Sequence, residues 1–226
     1  MGEMMRLTAD DGNAFDCWIE EAQGTRSGGI VILQEIFGVT EQLKGVALRY
    51  ASLGFDVAIP ALFDRQKPGT VVSFSDGTPG RELMLSSDLE ETMLDVKAAV
   101  DHLAESGAKV GVIGFCWGGG LAIRAAQTLP VAAAVSFYGT SLPAYLDRPL
   151  VAPVQGHFGT RDGHVPPEML DEARRYLGGG FHVFEYEAGH AFANDARPDF
   201  HVPEAAATAH GRAFAFLKKN LEPESA

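Results

Sequence analysis

The sequence predicts a single α/β domain in which a mainly parallel, doubly wound sheet carries an antiparallel N-terminal edge. Two observations lead to this fold class. Short apolar, β-branched runs recur at wide intervals, and longer stretches with helical spacing of their apolar residues lie between them. Two further strand-like segments, joined by a tight turn, precede the first of these runs. We therefore treat residues 1–226 as one domain.

The predicted elements follow this alternation from the N-terminus onward. The antiparallel edge comes from segments 5–8 and 14–20, which flank the turn sequence Asp-Asp-Gly-Asn. The runs that predict buried strands are 29–33, 55–59, 109–113, 131–137, 151–154 and 181–186. The stretches that predict helices are 41–53, 81–103, 118–129, 167–177 and 204–217. Segment 60–80, which is rich in Gly, Pro, Ser and Asp, predicts an irregular connection.

The composition excludes several classes of function. Thirty acidic residues against 18 basic ones give a formal charge of -12, which offers no basic surface for nucleic acid or an anionic membrane. No apolar run approaches the roughly 20 residues of a membrane-spanning helix, and the N-terminus lacks the pattern of a signal peptide. With only two cysteines, a disulfide framework is not expected. We expect a cytoplasmic protein, monomeric or a small homo-oligomer.

The stretch GVIGFCWGGG, residues 111–120, places Cys116 between a predicted strand and a predicted helix. This is the context of the G-x-S-x-G nucleophile elbow, with sulfur in place of the hydroxyl. Gly114 and Gly118 would let strand and helix approach closely, and the backbone N–H of Trp117 would face a developing oxyanion. A helix N-terminus also favours a thiolate over a thiol. The alternative is a small residue in a turn where helix and strand simply pack.

Two residues at other predicted strand ends complete a possible catalytic set. Asp162 and His190 follow Cys116 in the chain order nucleophile, acid, histidine that is typical of hydrolases with this elbow. His190 would take the thiol proton, and Asp162 would fix its tautomer. Taken singly, Asp162 also fits a turn residue and His190 an ordinary loop histidine. No HExxH or paired CxxC motif occurs, so we expect neither a metal nor another cofactor.

Five segments together resemble the dienelactone hydrolase family, the carboxymethylenebutenolidases of the α/β-hydrolase superfamily. They are VILQEIFGV, PALFDRQKPG, GFCWGG, GTRDGHVP and EAGHAFAND. The resemblance implies an α/β-hydrolase fold without a large cap domain and a Cys-His-Asp triad that opens an enol-lactone ring. It assigns the triad to Cys116, His190 and Asp162. It also implies that Glu35 contacts the resting thiol and swings away, and that the Ile36 amide is the second oxyanion donor beside that of Trp117.

The resemblance also makes predictions about substrate binding. Well-known members hold a substrate carboxylate with two arginines, and Arg81 matches the first of them. The second position holds Asn194, which carries no charge, unless Arg197 compensates from a shifted loop. A solvated residue in the first turn of a helix is the alternative for Arg81. Phe37 and Tyr138 are predicted to line the pocket, although core packing is their more usual role.

The sequence therefore predicts a cofactor-free hydrolase that acts on a small-molecule lactone or activated ester through a cysteine acyl-enzyme. Two alternatives stay open. The first is an esterase of the same family whose substrate lacks a free carboxylate, as Asn194 indicates. The second is a redox-sensing or binding protein that uses Cys116, because reactive thiolates are also sites of oxidation.

Overall fold

The computed structural model describes residues 2–222 and contains eight strands and six α-helices within that range. The strands are β1 Glu3–Thr8, β2 Ala14–Glu20, β3 Gly28–Leu33, β4 Phe55–Pro60, β5 Val110–Phe115, β6 Ala133–Phe137, β7 Val154–Gly159 and β8 Phe181–Tyr186. The helices are α1 Glu41–Ala51, α2 Thr78–Ser86, α3 Leu89–Ala104, α4 Trp117–Thr128, α5 Pro167–Leu177 and α6 Pro203–Leu221. The described residues divide into two compact units, 2–111 with 221–222, and 112–220.

The first unit begins with the antiparallel edge. β1 pairs antiparallel with β2, and β2 pairs antiparallel with β4. The turn between β1 and β2 closes through the Ala9 amide, which donates to the Asn13 carbonyl at 2.8 Å, while Gly12 takes a φ of 89° that favours glycine. β3 and β4 pair in parallel, and β3 is buried along its whole length. Parallel strands buried on both faces are typically apolar runs of this kind.

The second unit continues from β5 through β6, β7 and β8 in hydrogen-bonded order. β6 pairs in parallel with β7, and β7 pairs in parallel with β8. Its core strands β5, β6 and β7 are fully buried. The predicted fold class, a mainly parallel α/β sheet with an antiparallel N-terminal edge, is confirmed.

Two predicted elements were wrong in their bounds. The stretch 81–103 is two helices, α2 and α3, because Ser87 and Asp88 are extended and the Asp88 side chain caps α3 by accepting from the Glu91 amide at 3.0 Å. The strand predicted at 151–154 is β7, which starts at Val154 and runs to Gly159. Val151 is exposed, and its amide instead donates to the Ala126 carbonyl at 2.9 Å.

Among the described residues, no helix is both long and apolar enough to cross a membrane.

Candidate active site

Cys116 is the single residue between the end of β5 and the start of α4, and its backbone conformation is rare for residues that carry a side chain. Its φ is 54° and its ψ is −116°, which costs free energy for any residue other than glycine. Backbone hydrogen bonds hold Cys116 in this conformation. The Cys116 amide donates to the Phe137 carbonyl at 3.0 Å, and its carbonyl accepts from the amides of Gly119 at 3.0 Å and Thr140 at 3.1 Å. The turn therefore presents a half-buried thiol at the N-terminus of α4.

The glycines around Cys116 allow backbone segments to approach closely. A Cβ on Gly114 would lie 1.8 Å from the Gly118 carbonyl oxygen. A Cβ on Gly119 would lie 2.6 Å from the Cα of Gly139. No side chain fits at either position without moving the backbone, so the sequence of the turn follows from the packing of α4 against β5 and the loop after β6.

Asp162 and His190 lie in the loops that follow β7 and β8. Their loops are joined by backbone hydrogen bonds from the amide of Thr160 to the carbonyl of Tyr186 at 2.8 Å, and from Arg161 to Ala188 at 3.0 Å. His190 Nδ1 lies 2.8 Å from Asp162 Oδ2. The other carboxylate oxygen accepts from the His164 amide at 2.8 Å. The Asp162 side chain is completely buried, and these two hydrogen bonds hold both of its oxygens in place.

His190 also forms a side-chain hydrogen bond with Cys116. Since Asp162 occupies Nδ1, the thiol pairs with the other ring nitrogen. Burial alone would lower the His190 pKa, but the hydrogen bonds to Asp162 and Cys116, and the negative charges of both partners, outweigh it and raise that pKa to about 10. Burial would raise the Asp162 pKa, but the bond and charge of His190 hold it below its ordinary value. The three predicted residues therefore form one hydrogen-bonded line.

Two further rings contact His190. The ring of Tyr138 meets it edge-on, with centroids 5.2 Å apart, and the ring of His164 lies 4.5 Å away, centroid to centroid. Tyr138 is almost completely buried, and its amide donates to the His157 carbonyl at 2.7 Å. His164 was not among the residues predicted for the site. Its position two residues after Asp162 in GTRDGHVP is the signal that could have indicated it.

Comparisons with known proteins show the family of this chain. The sequence profile of the Dienelactone hydrolase family matches residues 15–221. The carboxymethylenebutenolidase of Pseudomonas putida is 32% identical over 231 residues, which covers 95% of each chain. The chain belongs to the dienelactone hydrolase family. It is therefore a hydrolase of esters or lactones.

Other members and structural neighbours extend the similarity. The carboxymethylenebutenolidase of Pseudomonas sp. strain P51 is 31% identical over 96% of this chain and 95% of its own. A dienelactone hydrolase-like promiscuous phosphotriesterase from metagenomic libraries superposes with a TM-score of 0.80 at 22% identity, covering 99% of both chains. An esterase of Pyrococcus furiosus superposes with a TM-score of 0.72 at 16% identity, covering 98% of this chain and 93% of its own. These structures share the fold of the dienelactone hydrolase family.

Four residues that the family resemblance singled out lie in the first unit. Glu35 is buried just after β3. The Ile36 carbonyl lies so close to Gly80 that a Cβ there would stand 1.7 Å from its oxygen, which ties this loop to the start of α2. Phe37 is buried, and its ring meets that of Phe74 with centroids 4.7 Å apart. Arg81 is exposed in the first turn of α2, a position that fits both interpretations given above.

The loop after His190 holds the last predicted residues. Asn194 is 1% exposed, and its Oδ1 accepts from the Ala196 amide at 3.1 Å, so that oxygen helps to shape the loop. The guanidinium of Arg197 lies 4.0 Å over the ring of Phe200. Within residues 2–222, no group of three or more His, Cys, Asp or Glu side chains could hold a metal ion.

Proposed function

We propose that this member of the dienelactone hydrolase family hydrolyses a small lactone or activated ester through a thioester on Cys116. The observation that carries the proposal is the hydrogen-bonded line from Cys116 through His190 to Asp162. A nucleophile, a base and a residue that orients the base form the arrangement expected for covalent acyl transfer. A cytoplasmic location and a monomeric or small homo-oligomeric state belong to the same proposal.

Acylation would start from a thiolate and an imidazolium. The raised pKa of His190 favours transfer of the thiol proton to the ring, while Asp162 supports the resulting positive charge. The sulfur attacks the carbonyl carbon, and the oxygen becomes an oxyanion that accepts from the Trp117 amide and, by the family resemblance, from the Ile36 amide. When the C–O bond breaks, His190 returns its proton to the leaving oxygen. In a lactone, that oxygen stays attached to the acyl group, so the ring opens.

Deacylation would use the same groups in reverse. Neutral His190 takes a proton from water, and the hydroxide formed attacks the thioester carbon. The C–S bond then breaks, the acid leaves, and the thiolate and imidazolium are restored. The role proposed for Glu35, to contact the resting thiol and then move, is a second route to the thiolate beside direct transfer to His190.

The choice of substrate would depend on Arg81 and the loop after His190. Arg81 is proposed to hold a substrate carboxylate, with Phe37 and Tyr138 beside the acyl group. Asn194 offers no second positive charge, and its Oδ1 already accepts from the Ala196 amide. This observation favours a second candidate, an esterase whose substrate lacks a free carboxylate. Rates on a carboxylated lactone and on its methyl ester would separate the two, because a strong preference for the free acid contradicts the second.

Substitutions of Cys116 and His190 test the proposed function. Cys116→Ala and His190→Ala should each lower kcat/KM on an aryl ester by about 10³-fold or more, since triad members act as a unit. Cys17→Ala is the matched control, because Cys17 is buried in β2 and its thiol pKa is raised by burial. Retention of most activity in both active-site variants contradicts the proposal. A Cys116 that reacts with peroxide while every ester remains uncleaved supports the redox alternative instead.

A further inference from the structure

A second histidine, His157, lies at the centre of a polar cluster that the proposed mechanism does not use, and its members other than the exposed Arg212 are buried. The cluster consists of Gln155 and His157 on β7, Tyr186 at the end of β8, and Arg212 on α6. His157 Nε2 lies 2.9 Å from Gln155 Oε1, and its Nδ1 lies 2.7 Å from the Tyr186 hydroxyl. The Arg212 guanidinium donates to the same hydroxyl at 3.1 Å. His157 has no exposed surface.

The partners determine the direction of each hydrogen bond in this His157 cluster. Gln155 Oε1 can only accept, so His157 Nε2 carries the proton. A neutral ring then has an accepting Nδ1, and the Tyr186 hydroxyl donates to it while accepting from Arg212. Burial, followed by the nearby charges of His210 and Arg212, lowers the His157 pKa to about 3, which is consistent with a neutral ring. Every polar atom of the ring is therefore satisfied in one tautomer.

The His157 cluster joins the strands that lead to the active-site loops. His157 lies five residues before Asp162, and Tyr186 lies four residues before His190. Their side-chain hydrogen bond thus fixes β7 to β8 just below the two loops, where the Tyr186 carbonyl also accepts from the Thr160 amide at 2.8 Å.

Ring contacts extend from the cluster toward the same residues. The Tyr186 ring lies 5.2 Å from that of Phe192, which lies 5.4 Å from that of Tyr138. Tyr138 in turn meets His190 at 5.2 Å. On its other side, His157 stacks on Phe137 at 4.8 Å, and the Phe137 carbonyl accepts from the Cys116 amide at 3.0 Å. The cluster therefore has contacts that lead to His190 and to Cys116.

We propose that His157 and Tyr186 are positioning residues that hold His190 in line with Asp162 and Cys116. The expected effect on turnover rests on the proposed function. The expected effect on the geometry of the His190–Asp162 pair does not. A purely structural role for the His157 cluster would affect stability alone. A positioning role would also affect turnover, because small errors in the placement of a catalytic group are costly to rate.

Tyr186→Phe is the sharpest variant, because it deletes one hydroxyl and keeps the ring that packs on Phe192. We expect kcat on an aryl ester to fall about tenfold while KM changes less than about twofold. His157→Asn should keep most of the wild-type kcat because its side-chain oxygen can still accept from Tyr186, whereas His157→Leu should not. Tyr50→Phe is the matched control, since it deletes a buried hydroxyl in the first unit.

A proton NMR measurement without substrate separates this inference from the proposed function. The hydrogen-bonded proton between His190 Nδ1 and Asp162 should give a downfield signal that disappears in Asp162→Asn. Tyr186→Phe should shift or broaden that signal, and Tyr50→Phe should leave it unchanged. An unchanged signal together with a kcat within twofold of wild type would overturn the positioning role. If Cys116→Ala and His190→Ala both keep their activity, the proposed function is refuted instead. The NMR comparison would still decide whether His157 and Tyr186 position His190.

Discussion

His190 and His157 are both largely buried histidines in the second unit, yet their pKa values are shifted in opposite directions. His190 faces the carboxylate of Asp162 and the sulfur of Cys116, and its pKa rises to about 10. His157 faces a neutral amide oxygen and a hydroxyl, with Arg212 and His210 nearby, and its pKa falls to about 3. Burial acts against the charged form in both. The chemistry of the partners therefore decides the direction in which each pKa shifts.

Removing the carboxylate that faces His190 should have the largest effect of the changes that test this comparison. Asp162→Asn keeps the size of the side chain but removes the charge that supports the imidazolium, so we expect kcat/KM on an aryl ester to fall about 10³- to 10⁴-fold. Asp147→Asn, which breaks an ion pair with Arg124 instead, is a suitable control. A loss of less than tenfold in Asp162→Asn would mean that the negative partner is not what distinguishes His190.

Removing the buried ring of His157 tests the role of the second histidine in this comparison. His157→Leu leaves Gln155 and the Tyr186 hydroxyl without their partner in the core, and we expect the free energy of unfolding to fall by about 2–4 kcal/mol. Urea denaturation measures this change. The exposed His182 on β8 provides a control, because His182→Leu should change the stability by less than about 0.5 kcal/mol. Equal effects of the two substitutions would argue against a stabilising cluster around His157.

Acid should destabilise the protein through His157. Its folded pKa of about 3 lies below the unfolded value of 6.5, so the unfolded state binds the proton more readily. The stability it contributes is complete above about pH 6.5 and is lost as the pH falls toward 3, with a slope of up to about 1.4 kcal/mol per pH unit. Urea midpoints between pH 7 and 4 should therefore decline less in His157→Leu than in the wild type. If the urea midpoints of the wild type and of His157→Leu decline equally with falling pH, His157 is not the group that makes the protein sensitive to acid.

Alkali should act through His190, with the opposite sign. Its folded pKa of about 10 lies above the unfolded value of 6.5, so its contribution is complete below about pH 6.5 and is lost as the pH rises through 10. Asp162→Asn should flatten this alkaline limb, because it removes the hydrogen bond and the charge that raise the His190 pKa. A wild-type stability that stays constant from pH 7 to 10 would show that the pair is weaker than its geometry indicates. We expect this to be the smallest of the four effects, because solvent reaches part of the His190 ring.

Much of the fold could be predicted from the sequence, because buried parallel strands are short apolar runs. β8 and α5 have the predicted bounds. β7 was misplaced because its buried residues include Gln155, two glycines and His157, which do not form an apolar run. The break between α2 and α3 was missed because apolar spacing continues across it, while the cap at Asp88 depends on a single side chain.

The candidate site was predictable to the extent that it depends on strand ends. Cys116, Asp162 and His190 follow β5, β7 and β8, and parallel strands bring their carboxyl ends to one edge. His164 could have been found from its position two residues after Asp162, but the ring contact of Tyr138 with His190 could not be foreseen, because it depends on the path of a loop and on a side-chain rotamer. The His157 cluster was hidden for the same reason, since its members come from β7, β8 and α6.

The central claim is that Cys116 carries the acyl group, and intact-protein mass spectrometry during turnover of a slow aryl ester tests it directly. The wild type should gain the mass of one acyl group, and peptide mapping should place that group on Cys116. The adduct should be absent from Cys116→Ala and should accumulate in a variant such as Asp162→Asn, in which water activation is slower. An acyl adduct of equal abundance in Cys116→Ala, or turnover of the ester by that variant at the wild-type rate, would contradict the account.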